Sequence, residues 1–247
     1  LFQRTPRRMV PTEAGQRLYT QIAGAIEKLE SIPHKNSTSQ TPQTIRIGTP
    51  QEFFTERILD RLPQDDRTSY TVQFGLTAEL IQQLKAGKLD LVIATQKITL
   101  SDIECQLLFE ENFWLIGPPN IANPIAEGTS QADLNPLAQW LLTQPWIAYS
   151  EELPIARRFW RVVFGRIIDV HPKLIVPDLR AIRQAVVLGF GFSVLPDYLC
   201  ADWVKENRLT LVLKPAQAVT NRIWLAFRKS ERQLPKIKRM LEFYQFQ

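Results

Sequence analysis

Side chains able to carry covalent chemistry are sparse and scattered in this sequence. His171 stands beside Pro172 with no local serine or cysteine partner, so it reads as a loop residue and not a general base. Cys105 and Cys200 are far apart and fit neither a CxxC pair nor a metal-ligand spacing, which makes them free thiols. No GxSxG, HExxH, phosphate-loop or GxGxxG pattern occurs. Gly189-Phe190-Gly191 lacks the third glycine and follows a helical pattern instead of a strand. No catalytic residue, metal site or cofactor is therefore expected.

The sequence offers binding chemistry instead. Hydroxyls and amides recur just after apolar strand-like runs, where open α/β folds gather their ligands. Thr49, Pro50 and Gln51 follow the first such run, Leu76 and Thr77 the second, and Thr95 with Gln96 the third. Tyr149 and Ser150 close a later strand, and Pro177 with Asp178 precedes a helix. Hydroxyls orient polar ligands, and helix N-termini with unpaired N–H groups suit a carboxylate or phosphate, so a small anionic metabolite is expected. Phe53 and Phe192 could add an apolar wall. Each hydroxyl taken singly could equally be a helix cap, Thr77 above all. The adjacent carboxylates Glu110-Glu111, Glu151-Glu152 and Asp65-Asp66 read as solvated turns, and Arg157, Arg158 and Arg161 as an exposed helix face.

Positioning such a set takes an α/β framework. Strands are expected at 45–48, 70–74 and 89–94, with helices at 51–62 (Phe54, Ile58, Leu59 and Leu62 inward) and from Thr77 to a terminating Gly87. Two further strands, 104–109 and 112–116, read as an antiparallel pair. Gly117-Pro118-Pro119-Asn120 marks a boundary. Beyond it come helices at 137–142, 154–164, 179–188 and 196–204, and strands at 146–149, 173–176, 192–195 and 209–213. A strand at 222–228 and a helix at 235–246 end the chain. Residues 33–44, which include His34, are polar and aperiodic, a hinge between an N-terminal arm and the globular part.

The 247 residues are 45% hydrophobic and 10% aromatic, ample for real cores. The net charge of +5 permits an anionic partner without demanding one. No signal peptide opens the chain, and the run 185–195 is too short and too glycine-interrupted to span a bilayer, so a cytoplasmic setting without membrane attachment is expected. Placement of charge says more: Arg4, Arg7 and Arg8 precede Thr12, a helix N-cap with Glu13 in the first turn. Leu18, Ile22, Ala25, Leu29 and Ile32 then step by four, three, four, three, the seam of a short coiled coil ending at Pro33. A basic loop on a dimerising helix can present charge to DNA, but an exposed loop on a helix packed against its own domain fits equally.

Leu1-Phe2-Gln3-Arg4, with Arg7, Arg8 and Thr12-Glu13-Ala14-Gly15, resembles the wing and linker-helix start of the LysR-type transcriptional regulators. Pro11 stands where that family commonly has leucine. Gly75, Thr77, Leu80, Leu84, Gly87, Leu89, Asp90 and Ile93, followed by 185–196 (AVVLGFGFSVLP), resemble the family's effector-binding domain. The resemblance implies the two-lobed fold of type 2 periplasmic binding proteins, with the last strand and helix returning to the first lobe. Lobe I would comprise 45–118 plus 216–247, and lobe II 119–215. It also implies DNA contact through Arg4, Arg7 and Arg8, a reading head upstream of Leu1, a homodimer or homotetramer, and an effector between the lobes. A free-standing solute-binding protein of the same fold would explain the globular part but not the arginine-rich loop or the heptad helix. An enzyme on this fold lacks a nucleophile and base.

Overall fold

The computed structural model describes residues 1–4, 9–30, 43–121 and 134–245. At the N-terminus, β1 (Phe2–Arg4) pairs antiparallel with β2 (Met9–Pro11). Thr12 then caps α1 (Glu13–Glu30): its Oγ1 accepts from the Gly15 N–H at 3.2 Å, and Glu13 accepts from Arg17 at 2.6 Å one turn on.

The first layer follows the expected alternation. β3 (Gln43–Thr49) lies parallel to both β4 (Thr68–Phe74) and β5 (Leu91–Ala94). Between β3 and β4, the helical segment starts as α2 (Gln51–Phe53), widens into a π turn over Phe54–Ile58 and closes as a 3-10 turn over Leu59–Arg61. That change of pitch rotates the apolar face. Phe53, Phe54 and Ile58 are buried, whereas Leu59, expected inward, is exposed. α3 (Thr77–Lys85) covers one face of the sheet with Leu80, Ile81 and Leu84, and Gly87, at φ +73°, ends it with a left-handed turn. Thr77 is the first helical residue and Leu76 the cap position, so Thr77 does not cap this helix.

The largest departure from expectation is β6 (Ile103–Gly117). It is one continuous 15-residue strand where two antiparallel strands were expected. Its first part pairs with β11 (Thr220–Arg228), and its last residues pair with both β9 (Ser193–Pro196) and β10 (Thr210–Leu213). β11 lies between β5 and β6, antiparallel to both. Buried apolar residues at 113, 115 and 116 carry the strand past Glu110-Glu111, so that pair is no turn.

The second body packs on the far part of β6. It comprises α4 (Asn135–Leu142), β7 (Ile147–Ala148), α5 (Pro154–Phe164), β8 (Leu174–Ile175), α6 (Leu179–Val187) and α7 (Asp197–Lys205) with β9 and β10. Its core centres on Trp146, Phe159 and Trp160, with the Trp146 and Trp160 rings edge to face at 5.2 Å. α8 (Pro235–Gln245) turns Ile237, Met240, Leu241 and Tyr244 onto Ile45, Ile47, Ile223 and Phe227 in the first body. β5 is covered on both sides. Leu91 and Ile93 face that cluster, while Val92 and Ala94 face α3.

One charge is locked inside this framework. The Asp90 carboxylate, fully buried, accepts from the Arg46 backbone N–H and guanidinium at 2.8–3.2 Å and from Lys236 at 2.8 Å. Burial pushes its pKa up, but those bonds outweigh burial and hold it below the usual carboxylate value.

Candidate functional site

Where the two bodies meet, the carboxyl ends of β3, β4 and β5 face the start of α5 and the segment after β7 across a cavity of about 730 Å³. Volumes of this order hold a drug-sized organic molecule. Pro50, Gln51, Glu52 and Phe53 line it from one side, with Phe74 to Thr77, Glu79 and Thr95 beside them. Tyr149, Ser150, Pro154, Ile155, Arg158, Pro177 and Leu179 line it from the other. The crossing strands supply the floor through Glu111 and Phe113 of β6 and Asn221 and Ile223 of β11, with Tyr198 of α7 alongside.

Of the residues singled out from the sequence, Pro50, Gln51, Phe53, Leu76, Thr77, Thr95, Tyr149, Ser150 and Pro177 meet on this cavity. The Thr77 and Thr95 hydroxyls bond each other at 3.2 Å, and the Thr95 N–H donates to Thr77 Oγ1, tying the start of α3 to the end of β5. Thr49 is fully buried beneath the lining and donates to the Pro50 carbonyl. Phe192 does not reach the cavity. Its ring packs against Trp140 at 5.2 Å and over Gly117, because the bridge from Phe192 to Trp146 turns it into the core. Of the coiled-coil seam, Leu18 and Ile22 are exposed, beside exposed Tyr19 and Ile26. Ala25 and Leu29 lie within α1, but their side chains are outside the described residues, as are the Arg4 side chain and all of Arg7, Arg8 and Ile32.

The charged lining was missed. Glu111, only 6% exposed, accepts from Asn221 Nδ2 at 2.9 Å through Oε1, while no hydrogen bond to Oε2 is found among the described residues. Burial pushes its pKa up to about 7; the Asn221 bond offsets this in part, and Glu52 and Asp197 add to the rise. Burial also raises the Glu52 carboxyl, with Asp178 contributing. Arg158 reaches Asn221 Oδ1 at 3.5 Å. Asp197 accepts from Asn112 at 3.3 Å, and Arg57 stacks 4.2 Å from the Phe109 ring centre on the side of Tyr198. The sequence did hold a signal for Glu111. It lies on the Phe109–Phe113–Leu115 parity of one strand, an acid on an apolar face.

The helix ends are less open than their positions suggest. Asp178 folds back on α6 and accepts from the N–H groups of Arg180 and Ala181 at 2.8 and 3.2 Å. α5 begins with Pro154, which has no N–H to offer.

The family model for the LysR substrate binding domain matches residues 38–246. The chain belongs to the LysR-type transcriptional regulators. It is 30% identical to the HTH-type transcriptional regulator AbaB of Streptomyces antibioticus, over 98% of this chain and 82% of that protein. A second relative, the probable hydrogen peroxide-inducible genes activator of Streptomyces viridosporus, is 25% identical over 79% of this chain and 63% of its own length. Among solved structures, ArgP from Mycobacterium tuberculosis superposes with a TM-score of 0.70 at 17% identity, covering 100% of this chain and 81% of that one. CrgA from Neisseria meningitidis gives 0.64 at 17% identity, with 99% and 82% covered. These likenesses establish the two-lobed fold of type 2 periplasmic binding proteins that LysR-type effector domains share. The family consists of regulators and not enzymes; LysR-type proteins bind DNA and small-molecule effectors and form oligomers. Among the described residues no group of histidine, cysteine or acidic side chains is placed to hold a metal ion, and no helix is long and apolar enough to cross a membrane.

Proposed function

We propose that this chain is the sensing part of a cytoplasmic DNA-binding regulator, with the cavity between its lobes as the effector site. The observation that carries this reading is a 730 Å³ cavity at the carboxyl ends of three parallel strands, walled by both bodies and floored by strands that run through both. A ligand touching both walls favours one arrangement of the bodies by its differential affinity, which is all that an effector needs to do. Lobe I comprises 45–118 plus 216–247 and lobe II 119–215. Thr77, Thr95, Tyr149 and Ser150 orient the ligand.

The exposed apolar stripe of Leu18, Tyr19, Ile22 and Ile26 on α1 supports pairing with a second copy. Arg4, on β1, together with Arg7 and Arg8 contacts phosphates or the minor groove. The test is DNA binding by the gene product carrying this chain, on its own upstream DNA, at two salt concentrations. Sequence-selective binding that weakens with salt is expected. Replacing the three arginines with alanine should weaken binding to every sequence and flatten the salt dependence. A loss confined to the preferred operator would refute the arginine assignment, and no selective binding at either salt would refute the regulator reading.

A further inference from the structure

We infer that the ligand of the cavity between the lobes is an organic cation: an apolar body carrying a protonated amine or amidine, with its positive nitrogen seated between Glu111 and Glu52. This rests on the reading of the cavity as the effector site and adds the chemical class of its occupant. The lining holds three carboxylates, Glu52, Glu79 and Glu111, against one guanidinium, Arg158. Glu111 is the most deeply placed of the three; Asn221 engages its Oε1, and among the described residues its Oε2 stays free to meet a ligand in the cavity. A carboxylate with so little contact with water is costly to ionise, and a cationic donor brought to it across the cavity recovers most of that cost.

Anion binding, which the strand ends alone would suggest, is opposed by charge: α2 and α3 start on the cavity without side-chain caps, but each carries an acid, Glu52 or Glu79, in its first turn. Asp178 already occupies the N-terminal amides of α6, and α5 starts on a proline. Beside the hydroxyls, much of the wall is apolar: Phe53, Phe74, Phe113, Ile155, Leu179 and Ile223. They suit an alkyl or aryl body and not a small dicarboxylate.

Protonation makes the inference measurable. Glu111 faces Glu52 of α2, Asp197 and Tyr198 of α7, Arg158 of α5 and Asn221 of β11. Because burial holds the Glu111 carboxyl at about 7, a cation that binds there must displace its proton. Affinity for a cation should therefore rise about tenfold between pH 6 and pH 8, with proton release.

The experiment is calorimetric titration of the protein with skeleton-matched probes, namely phenethylamine, 2-phenylethanol and phenylacetate, plus benzamidine, at pH 6 and pH 8. The amine and amidine should bind at least tenfold more tightly than the alcohol or the acid at pH 8, and proton release should show as a dependence on buffer ionisation heat. Glu111→Gln should lose at least tenfold in amine affinity and all of its pH dependence while its alcohol affinity stays unchanged. Circular dichroism checks that the variant folds, and Glu52→Gln serves as an independent second variant. Equal or tighter binding of phenylacetate, no binding by either cation, or amine affinity unmoved in both variants would overturn the inference. Binding of alcohol or acid in those cases would leave the cavity reading standing, so the two failures are distinguishable.

Discussion

Two buried carboxylates set opposite pH dependences on the stability of this protein. Asp90 is held below its ordinary pKa by Arg46 and Lys236 against the effect of burial, so its contribution is present above the unfolded carboxylate pKa and is lost as pH falls through the folded value. Asp90→Asn, which leaves those cations facing a neutral amide, should cost about 3 kcal/mol near neutral pH and much less in acid. Glu111 runs the other way. Its folded pKa of about 7 lies above the unfolded value, so the folded state holds an extra proton between those limits and stability falls as pH rises through them. Glu111→Gln should therefore raise stability by about 2 kcal/mol at pH 8 and change it little at pH 4.5. Urea titrations at pH 4.5, 7 and 8 check both, and a loss of stability in Glu111→Gln at pH 8 would contradict the assignment. Cys200, fully buried with its thiol pushed up to about 12 by burial, serves as a small apolar side chain in its cluster and is no nucleophile at neutral pH.

Among the elements, the turn after α6 is the most constrained by backbone approach. A Cβ on Gly191 would meet the Pro145 carbonyl oxygen at 2.2 Å, on the segment where Phe192 N donates to that same oxygen. Gly189, at φ +80°, has open space around it. Gly191→Ala should cost several kcal/mol, about 3 or more, because β9 must separate from the Pro145 strand end, whereas Gly189→Ala should cost about 1 kcal/mol. Thermal melts of the two variants compare the effects directly. The sequence was most legible where one period governs one element. α3, α6 and α8 follow from apolar spacing, the Asp178 cap and the glycines at 87 and 189. It was least legible where tertiary contact decides. The π turn through Phe54–Ile58, after which Leu59 lies in water, is invisible to a 3.6-residue template. β6 was divided at Glu110-Glu111 because charge suggests solvent, yet only the crossing with β11 gives Glu111 its buried place. Strand ends pointed to eight of the cavity residues. The carboxylates that give the cavity its charge came from a floor that no local pattern announces.

Across the whole molecule, the two bodies are joined by side chains as well as by strands. Arg180 donates to Thr55 Oγ1 at 3.2 Å, and Arg183 pairs with Glu56 at 3.5 Å while stacking 4.1 Å from the Trp203 ring centre and donating to the Leu199 carbonyl. Arg183 is anchored on its own body by Leu199 and Trp203, so Glu56→Gln should remove the link without unseating the arginine. Stability should move by no more than about 1 kcal/mol, while small-angle scattering should report a more open arrangement. Identical scattering profiles for parent and variant would show that the pair does not hold the bodies together.

The shared strand also limits how this protein can be taken apart. β9 and β10 hydrogen-bond to residues 113–117 of β6, which lie before the loop that would serve as a cutting point. A fragment of 119–215 would carry two strands stripped of the partner between them, with Val194 and Val212 laid open along unpaired edges. Such a piece should aggregate on expression instead of folding. Fusions and domain exchanges between relatives should therefore be cut before β3, leaving both passes through the middle of the molecule with the chain they were made for.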